Sequence, residues 1–147
     1  QNRTSDYVFS WEKMLSLEGN TAPYMQYAYA RIQSIFRKLE AESEKLKSKD
    51  RPPEEKIHAI EPAERVLGVK LLQFPETVEA VAEASMPNIL CAYLYELAGA
   101  FMSFYENCPV LKAQGEMRGS RLALCHLAAG VIQQGLALLG IETLEKM

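Results

Sequence analysis

The part of the sequence with the clearest chemical potential is a short stretch that combines tyrosines with an arginine. It covers residues 19–32 and reads GNTAPYMQYAYARI. Tyr27 and Arg31 lie four residues apart, a spacing that makes two side chains neighbours on one face of a helix. A tyrosine ring stacks on the face of an unstacked RNA base, and a guanidinium pairs with a phosphate or a base edge. The pair therefore indicates a site for single-stranded RNA bases.

A purely structural role is the alternative for these tyrosines. An amphipathic ring can pack against the core while its hydroxyl stays in water. We expect this role for Tyr24, which falls on an apolar stripe, and for Tyr29. For Tyr27 the pattern alone leaves both interpretations open.

Other kinds of active site find little support in the sequence. Glu55 and His58 have the Glu-x-x-His spacing of di-iron bundles, but that architecture needs a second such motif and two more glutamates, so we interpret the match as chance and expect no metal site. Neither histidine lies in a polar cluster that would orient it for nucleophilic catalysis. No glycine-rich phosphate loop is present. Cys91, Cys108 and Cys125 are odd in number and form no CxxC motif, which is typical of reduced thiols in an intracellular protein.

Helical periodicity predicts an all-α bundle of five or six helices, because no alternating β-branched segment indicates a strand. The predicted helices cover residues 5–17, 22–47, 61–74, 75–85, 87–106 and 119–140. Thr21 is the expected N-cap of the long second helix, with Pro23 in its first turn. The last helix is apolar almost all round, so we expect it to be the central and most buried one. Residues 40–60 are expected to form a charged linker that begins as a frayed helix end.

Two parallel stripes are predicted along the long second helix. The apolar stripe, which should face the core, contains Tyr24, Ala28, Ile32, Ile35 and Leu39. The adjacent polar and basic stripe contains Tyr27, Arg31, Ser34 and Lys38. The second stripe would therefore carry the candidate RNA-binding pair on an accessible face.

Length and charge are those of one ordinary globular domain. The chain has 147 residues, of which 48% are apolar and 24% charged, and its net charge of −3 excludes a generally basic coat for nucleic acid. Residues 1–51 carry +2 and residues 52–147 carry −5, so charge permits RNA contact at the N-terminal end. No signal peptide or membrane-spanning run is evident. We expect a cytoplasmic protein, with an organellar location as the alternative, and no membrane partner.

Three segments together resemble the arginyl-tRNA synthetases, a class I family. Residues 6–38 resemble the segment that joins the catalytic domain of that family to its helical anticodon-binding domain, and they read DYVFSWEKMLSLEGNTAPYMQYAYARIQSIFRK. Residues 88–111 resemble the family's Leu-Tyr-Glu-Leu helix, and residues 120–147 its last helix and tail. The resemblance implies a single helical C-terminal domain over residues 1–147, of the type named DALR after Asp-Ala-Leu-Arg. Residues 1–18 would be the junction from an absent catalytic domain.

The resemblance also implies which residues approach the anticodon loop of the RNA. They are Leu17, Glu18, Gly19, Asn20 and Thr21 in the loop before the long helix, Tyr27 and Arg31 on that helix, Tyr105 on a later helix, and the terminal Met147. The spacing of four residues, without the resemblance, also indicates Tyr27 and Arg31 as RNA-binding candidates. Leu144 and Lys146 depart from the Pro and Arg that the family often has, which predicts a less rigid tail and a single phosphate contact.

The function implied is recognition of the tRNA(Arg) anticodon loop within an arginine–tRNA ligase. The ATP-binding signatures of the family, His-Ile-Gly-His-like and Lys-Met-Ser-Lys-like, do not occur, so we do not expect the chain alone to aminoacylate tRNA. We expect no catalytic residue and no cofactor in this domain, with ATP and Mg bound by the catalytic domain. The expected partners are that domain and tRNA(Arg), but not DNA. The alternative is a free-standing homologue that serves as a helical tRNA-binding or protein-interaction module.

Overall fold

The computed structural model describes residues 6, 8–46 and 56–147, without the side chains of residues 42–46. Within these ranges the chain forms helices and no strand. The helices are α1 (Trp11–Met14), α2 (Ala22–Leu46), α3 (Pro62–Leu72), α4 (Phe74–Ala84), α5 (Pro87–Asn107) and α6 (Gly115–Leu138). The predicted all-α bundle of five or six helices is confirmed. Since α1 is a single turn, five longer helices build the fold.

Helix α2 begins where its capping signal predicts. The backbone N–H of Tyr24 donates to the hydroxyl of Thr21 at 3.3 Å, which satisfies one of the unpaired donors of the first turn. Its apolar stripe faces the core, with Ala28, Ile32 and Ile35 fully buried. The helix runs to Leu46, so the first part of the predicted charged linker is helical. Residues 47–55 of that linker lie outside the described residues.

Helices α3 and α4 follow each other with a single residue, Gln73, between them. A capping box starts α3. The side chain of Glu61 accepts from the backbone N–H of Glu64, and the side chain of Glu64 accepts from the backbone N–H of Glu61. Pro62 lies in the first turn. Both helices lie within two residues of their predicted bounds. They pack on α5 and close one side of the bundle.

The prediction that the last helix would be the most central needs a correction. Helix α6 holds more buried residues than any other helix of the described chain, but α5 is the helix that packs against α2, α3, α4 and α6. One face of α6 is open to solvent, with Leu127 and Leu138 exposed. Apolar composition indicated a helix buried all round, whereas Leu127, Ala137 and Leu138 lie at the surface. Helix α6 also begins at Gly115, four residues before the predicted start at Gly119, and Gly119 lies within the helix.

The predicted helix over residues 5–17 is wrong in its described part. Ser10 caps a helix of only four residues, α1. Val8, Trp11 and Leu15, whose spacing suggested a buried face, are 89%, 70% and 66% exposed. Periodicity indicates a buried face only where another element covers it. No described element covers this one.

Among the described residues, α6 alone has the length and hydropathy to cross a membrane. Half of its most apolar window is buried inside the bundle, against α2, α3 and α5. The same composition suits a core helix, and we interpret α6 as one.

Candidate nucleic-acid interface

The predicted pair on α2 is in direct contact. Arg31 donates from Nη1 to the hydroxyl oxygen of Tyr27 at 3.2 Å. Arg31 is exposed and Tyr27 is half-buried, so the ring is partly supported by the protein and the guanidinium faces solvent. The side-chain contact that the spacing of four residues predicts is therefore present, and both side chains are available to a ligand.

Tyr105, from α5, reaches the same place. The guanidinium carbon of Arg31 lies 5.1 Å from the centroid of the Tyr105 ring, a cation–π distance. That ring is half-buried and stacks on Phe101 of the core at 6.2 Å, with an interplanar angle of 26°. Arg31 is thus held between two tyrosines from different helices, which fixes a long side chain that would otherwise sample many rotamers.

The C-terminal tail, residues 141–147, returns from the end of α6 to α2. Gly140, at φ +73°, and Ile141 close α6 with two backbone bonds, from Gly140 N–H to Ala137 O at 3.0 Å and from Ile141 N–H to Leu136 O at 2.9 Å. This is the Schellman arrangement, for which glycine supplies the left-handed residue. Ile141 packs against the core and sets the direction in which the tail leaves.

Two side chains of α2 hold the tail by its backbone. Gln26 donates from Nε2 to the carbonyl oxygen of Glu142 at 2.7 Å. Arg37 donates from Nη1 to the carbonyl oxygen of Glu145 at 2.6 Å. Leu144 lies between these two acceptors, and the lower rigidity expected of the tail stays a prediction.

Between the tail and α2 lies an open groove of about 350 Å³. It is lined by Tyr27, Ala30, Arg31, Ser34, Arg37, Lys146 and Met147. Three of these side chains are cationic, two carry hydroxyls and one is the thioether of the last residue. The groove can therefore accept an anion together with a flat apolar group, which is the chemistry of a nucleotide.

The loop before α2 lies at the N-terminal end of the same helix. The hydroxyl of Thr21 donates to the carbonyl oxygen of Ser16 at 2.6 Å and also caps α2, so one side chain fixes both ends of the turn. Gly19 has φ +77°, where a glycine is favoured. Leu17, Glu18 and Asn20 are exposed. Tyr27 follows Thr21 by six residues, about 9 Å along the helix axis.

The predicted site residues therefore fall into two groups. Tyr27, Arg31 and Met147 line the groove, and Tyr105 joins this group through its contact with Arg31. Residues 17–21 form the loop at the N-terminal end of α2 and do not line the groove. Tyr29 is buried in the core and Tyr24 is half-buried against Tyr95, with ring centroids 5.6 Å apart, as their structural interpretation predicts.

Sequence reasoning missed Gln26 and Arg37. Their partners are carbonyl groups 116 and 108 residues further along the chain, and a backbone acceptor leaves no trace in residue type. One signal was available: Gln26, Ala30, Ser34 and Arg37 follow one another at steps of four, four and three, which is a further stripe on α2.

The described residues contain no group of three or more His, Cys, Asp or Glu side chains that could hold a metal ion, and Glu55 lies outside them. Burial raises the pKa of the Cys125 thiol to about 12, and burial, followed by the charge of Glu64, raises the pKa of the Cys108 thiol. Both thiols are therefore protonated and unreactive near neutral pH.

Comparison with known proteins agrees with the fold. The DALR anticodon binding domain family matches residues 25–147. The chain is 54% identical to the arginine–tRNA ligase of Cellvibrio japonicus and 56% identical to that of Haemophilus ducreyi; all of the chain aligns with 24% and 25% of those proteins. Two solved structures resemble it: arginyl-tRNA synthetase from Thermus thermophilus, with a TM-score of 0.83 and 35% identity over 95% of the chain and 23% of that structure, and the enzyme from Plasmodium falciparum, with 0.82 and 33% over 100% and 25%.

The five-helix bundle, with α5 at its centre and a tail returning to α2, defines an all-helical anticodon-binding domain. The chain belongs to the DALR anticodon-binding domain family, in the form that arginine–tRNA ligases carry. It spans about a quarter of the length of the relatives that it matches.

Proposed function

We propose that this chain binds the anticodon loop of tRNA(Arg), and that the groove between α2 and the C-terminal tail is the binding face. The observation that carries the proposal is the guanidinium of Arg31, held between Tyr27 and Tyr105 beside the cationic groove. In this role a tyrosine ring stacks on an unpaired base, and Arg31 pairs with a base edge or a phosphate. Met147 forms the opposite wall.

The loop of residues 17–21 is proposed to contact the RNA backbone or a second nucleotide. Its exposed polar groups and its position at the start of α2 support this. A helix start also presents unpaired backbone N–H groups that suit a phosphate. The loop and the groove lie along one helix, so a single-stranded loop of RNA can reach both.

The remainder of the activity is proposed for a longer protein that contains this chain. With a catalytic domain that binds ATP and Mg, the protein attaches arginine to tRNA(Arg) in the cytoplasm. The exposed apolar side chains of the N-terminal segment, Val8, Phe9, Trp11 and Leu15, support docking of residues 8–15 against that domain. The domain itself would contribute RNA recognition and no reacting group.

Titration with an RNA hairpin tests the proposal. An arginine tRNA anticodon stem-loop, labelled with a fluorophore, is added to the purified chain, and a second hairpin has its central anticodon cytosine replaced. Each stacked base is worth about 1–3 kcal/mol, so Tyr27→Ala/Arg31→Ala should weaken binding of the first hairpin by roughly 10-fold or more. Tyr27→Phe should cost less, because it keeps the ring and loses only the hydroxyl that Arg31 contacts.

Lys38→Ala is the matched control, since it removes an exposed cation from the same stripe without touching either tyrosine. It should lower affinity only slightly, and equally for both hairpins. Binding that is as tight in Tyr27→Ala/Arg31→Ala as in the unchanged chain would contradict the assignment of the face. A loss as large in Lys38→Ala would mean that general charge, not the Tyr–Arg pair, binds the RNA.

A further inference from the structure

The C-terminal tail carries one wall of the groove but is held by few contacts. Glu142, Leu144, Glu145, Lys146 and Met147 are all exposed, and Met147 is 59% exposed. Within the tail only Ile141 packs against the core. Packing of an apolar side chain against the core therefore fixes the start of the tail but not its last residues.

We propose that Gln26 and Arg37 are positioning residues that strap the tail to α2 and thereby place Met147 at the RNA-binding groove. This inference rests on the proposed function for its consequence in RNA binding, while the strap itself is a property of the free protein. Both side chains bind main-chain carbonyl oxygens, of Glu142 and of Glu145. The strap is thus independent of which side chains the tail carries.

The geometry suits a strap with two separate points. Gln26 and Arg37 are eleven residues apart, three helical turns, so they leave α2 on the same face about 16 Å apart along the axis. Their two acceptors are three residues apart on the tail, a reach of about 10 Å in an extended chain. The long side chains span the difference. The tail therefore runs along α2 in the same direction as the helix, past Ala30 and Ser34 at the floor of the groove.

Holding the tail in advance should aid binding. A free tail would have to lose its conformational freedom when RNA arrives, and that loss subtracts from affinity. A single hydrogen bond from a side chain to a carbonyl contributes modestly, so removal of one point should raise the fraction of loosened tail without unfolding the domain. Removal of both should release residues 142–147.

The first test measures the strap without RNA. The chain is labelled with ¹³C in its methionine methyl groups, of which Met147 reports the tail and the buried Met25 reports the core beside Gln26. In Gln26→Ala/Arg37→Ala the Met147 signal should sharpen and relax like an unfolded chain end, with Met25 unchanged. Gln133→Ala/Lys38→Ala removes an exposed amide and an exposed cation elsewhere and should leave both signals as they are. Identical Met147 relaxation in all variants would overturn the strap.

The second test separates positioning from direct contact with RNA. Arg37→Ala should weaken binding of the anticodon stem-loop about 3- to 10-fold in the full chain. In a chain that ends at Ile141 the same substitution should have no further effect, because there is no tail left to position. An equal loss in both backgrounds would mean that Arg37 contacts the RNA itself and would overturn the positioning role. If no form of the chain bound the hairpin, the proposed function would fail, while the methyl signals would still decide the strap.

Discussion

Arg31 owes its position to side chains from two helices, and this explains how a domain of negative net charge can present a defined cationic group. The hydroxyl of Tyr27 accepts a hydrogen bond from its guanidinium, and the ring of Tyr105 lies beneath it. A guanidinium held in this way loses less freedom when it binds a base edge than a free lysine would. Specific placement, rather than the amount of positive charge, is the feature that the proposed face relies on.

A second arginine, Arg121, has a structural role in the core. Its Nε donates to Oε1 of Glu64 at 2.6 Å and its Nη1 donates to the carbonyl oxygen of Pro109 at 2.9 Å. The other carboxylate oxygen of Glu64 accepts from the backbone N–H groups of Ile60 and Glu61, at 2.8 and 2.9 Å. This network joins the start of α3, helix α6 and the turn after α5. Arg121 and Glu64 are 6% and 2% exposed.

Replacing one partner of this pair should therefore be costly. Arg121→Met leaves a buried carboxylate with fewer donors and should lower the free energy of unfolding by about 3–5 kcal/mol, measured by urea denaturation. Glu64→Gln should have a similar effect, and Glu64→Gln/Arg121→Met should cost less than the sum of the two. Arg65→Ala, an exposed arginine one residue from Glu64, is the control and should change stability little. A double variant whose loss equals that sum would contradict the coupling.

The same pair predicts how stability depends on pH. Burial alone would raise the pKa of Glu64, but the hydrogen bond from Arg121 and those from the two backbone N–H groups outweigh it and lower the pKa. The folded state then favours the carboxylate, so its contribution is fully present above the ordinary value of 4.5 and is lost as the pH falls through the lower, folded value. The stability difference between the unchanged chain and Glu64→Gln should shrink on that descent. A difference that stays constant from pH 7 to pH 3 would contradict the shift.

Sequence could predict some of these residues and not others. Tyr27 and Arg31 are a local pair, so a spacing of four was sufficient. Tyr105 and Met147 come from distant parts of the chain, and only resemblance to a family pointed to them. Glu64 and Arg121 are 57 residues apart, and two charged residues on amphipathic helices give no sign that they meet in the core.

The helices were predictable because their signals are local. Prolines stand in the first turns of α2, α3, α4 and α5, and each of these helices begins within a residue or two of its expected position. The helix prediction for the N-terminal segment is wrong because a buried face also needs an element that covers it. Its apolar spacing is helical, but no described element covers it, and a single turn remains. Which helix lies at the centre could not be predicted either, since centrality depends on packing partners and not on hydropathy.

Helix α6 packs closely on α5 at Gly135. A Cβ atom placed there would lie 2.6 Å from a methyl carbon of the buried Leu94. Gly135→Ala should therefore lower the free energy of unfolding by about 1–3 kcal/mol through overpacking. Gly130→Ala is the matched control on the same helix, because that position is exposed and nothing lies within 4 Å of the added atom. It should stabilise the chain by about 0.5–1 kcal/mol.

Thermal or urea unfolding of the two variants decides between close packing and simple helix propensity. The two substitutions should change the free energy of unfolding in opposite directions. If Gly135→Ala stabilised the chain as much as Gly130→Ala, then α5 and α6 would not be in close contact at Leu94.

At the scale of the whole molecule, the described residues present one groove that we propose for RNA and one apolar segment that we propose docks against a catalytic domain. The first is the groove between α2 and the tail, with Arg31, Arg37 and Lys146 around it. The second is the apolar N-terminal segment that ends at the loop of residues 17–21. That loop joins the two, so docking at one end and RNA binding at the other would act on the same turn.

The most direct measurement of the central claim maps where RNA touches the labelled chain. An unlabelled arginine tRNA anticodon stem-loop is titrated into protein with ¹³C-labelled methionine methyl groups and tyrosine rings. Signals of Met147, Tyr27 and Tyr105 should shift, whereas Met117 should not, because it is an exposed methionine at the start of α6, about 32 Å along the helix from the end that leads to the tail. Shifts at Met117 with none at Met147 and Tyr27 would place the RNA elsewhere and contradict the assignment of this face.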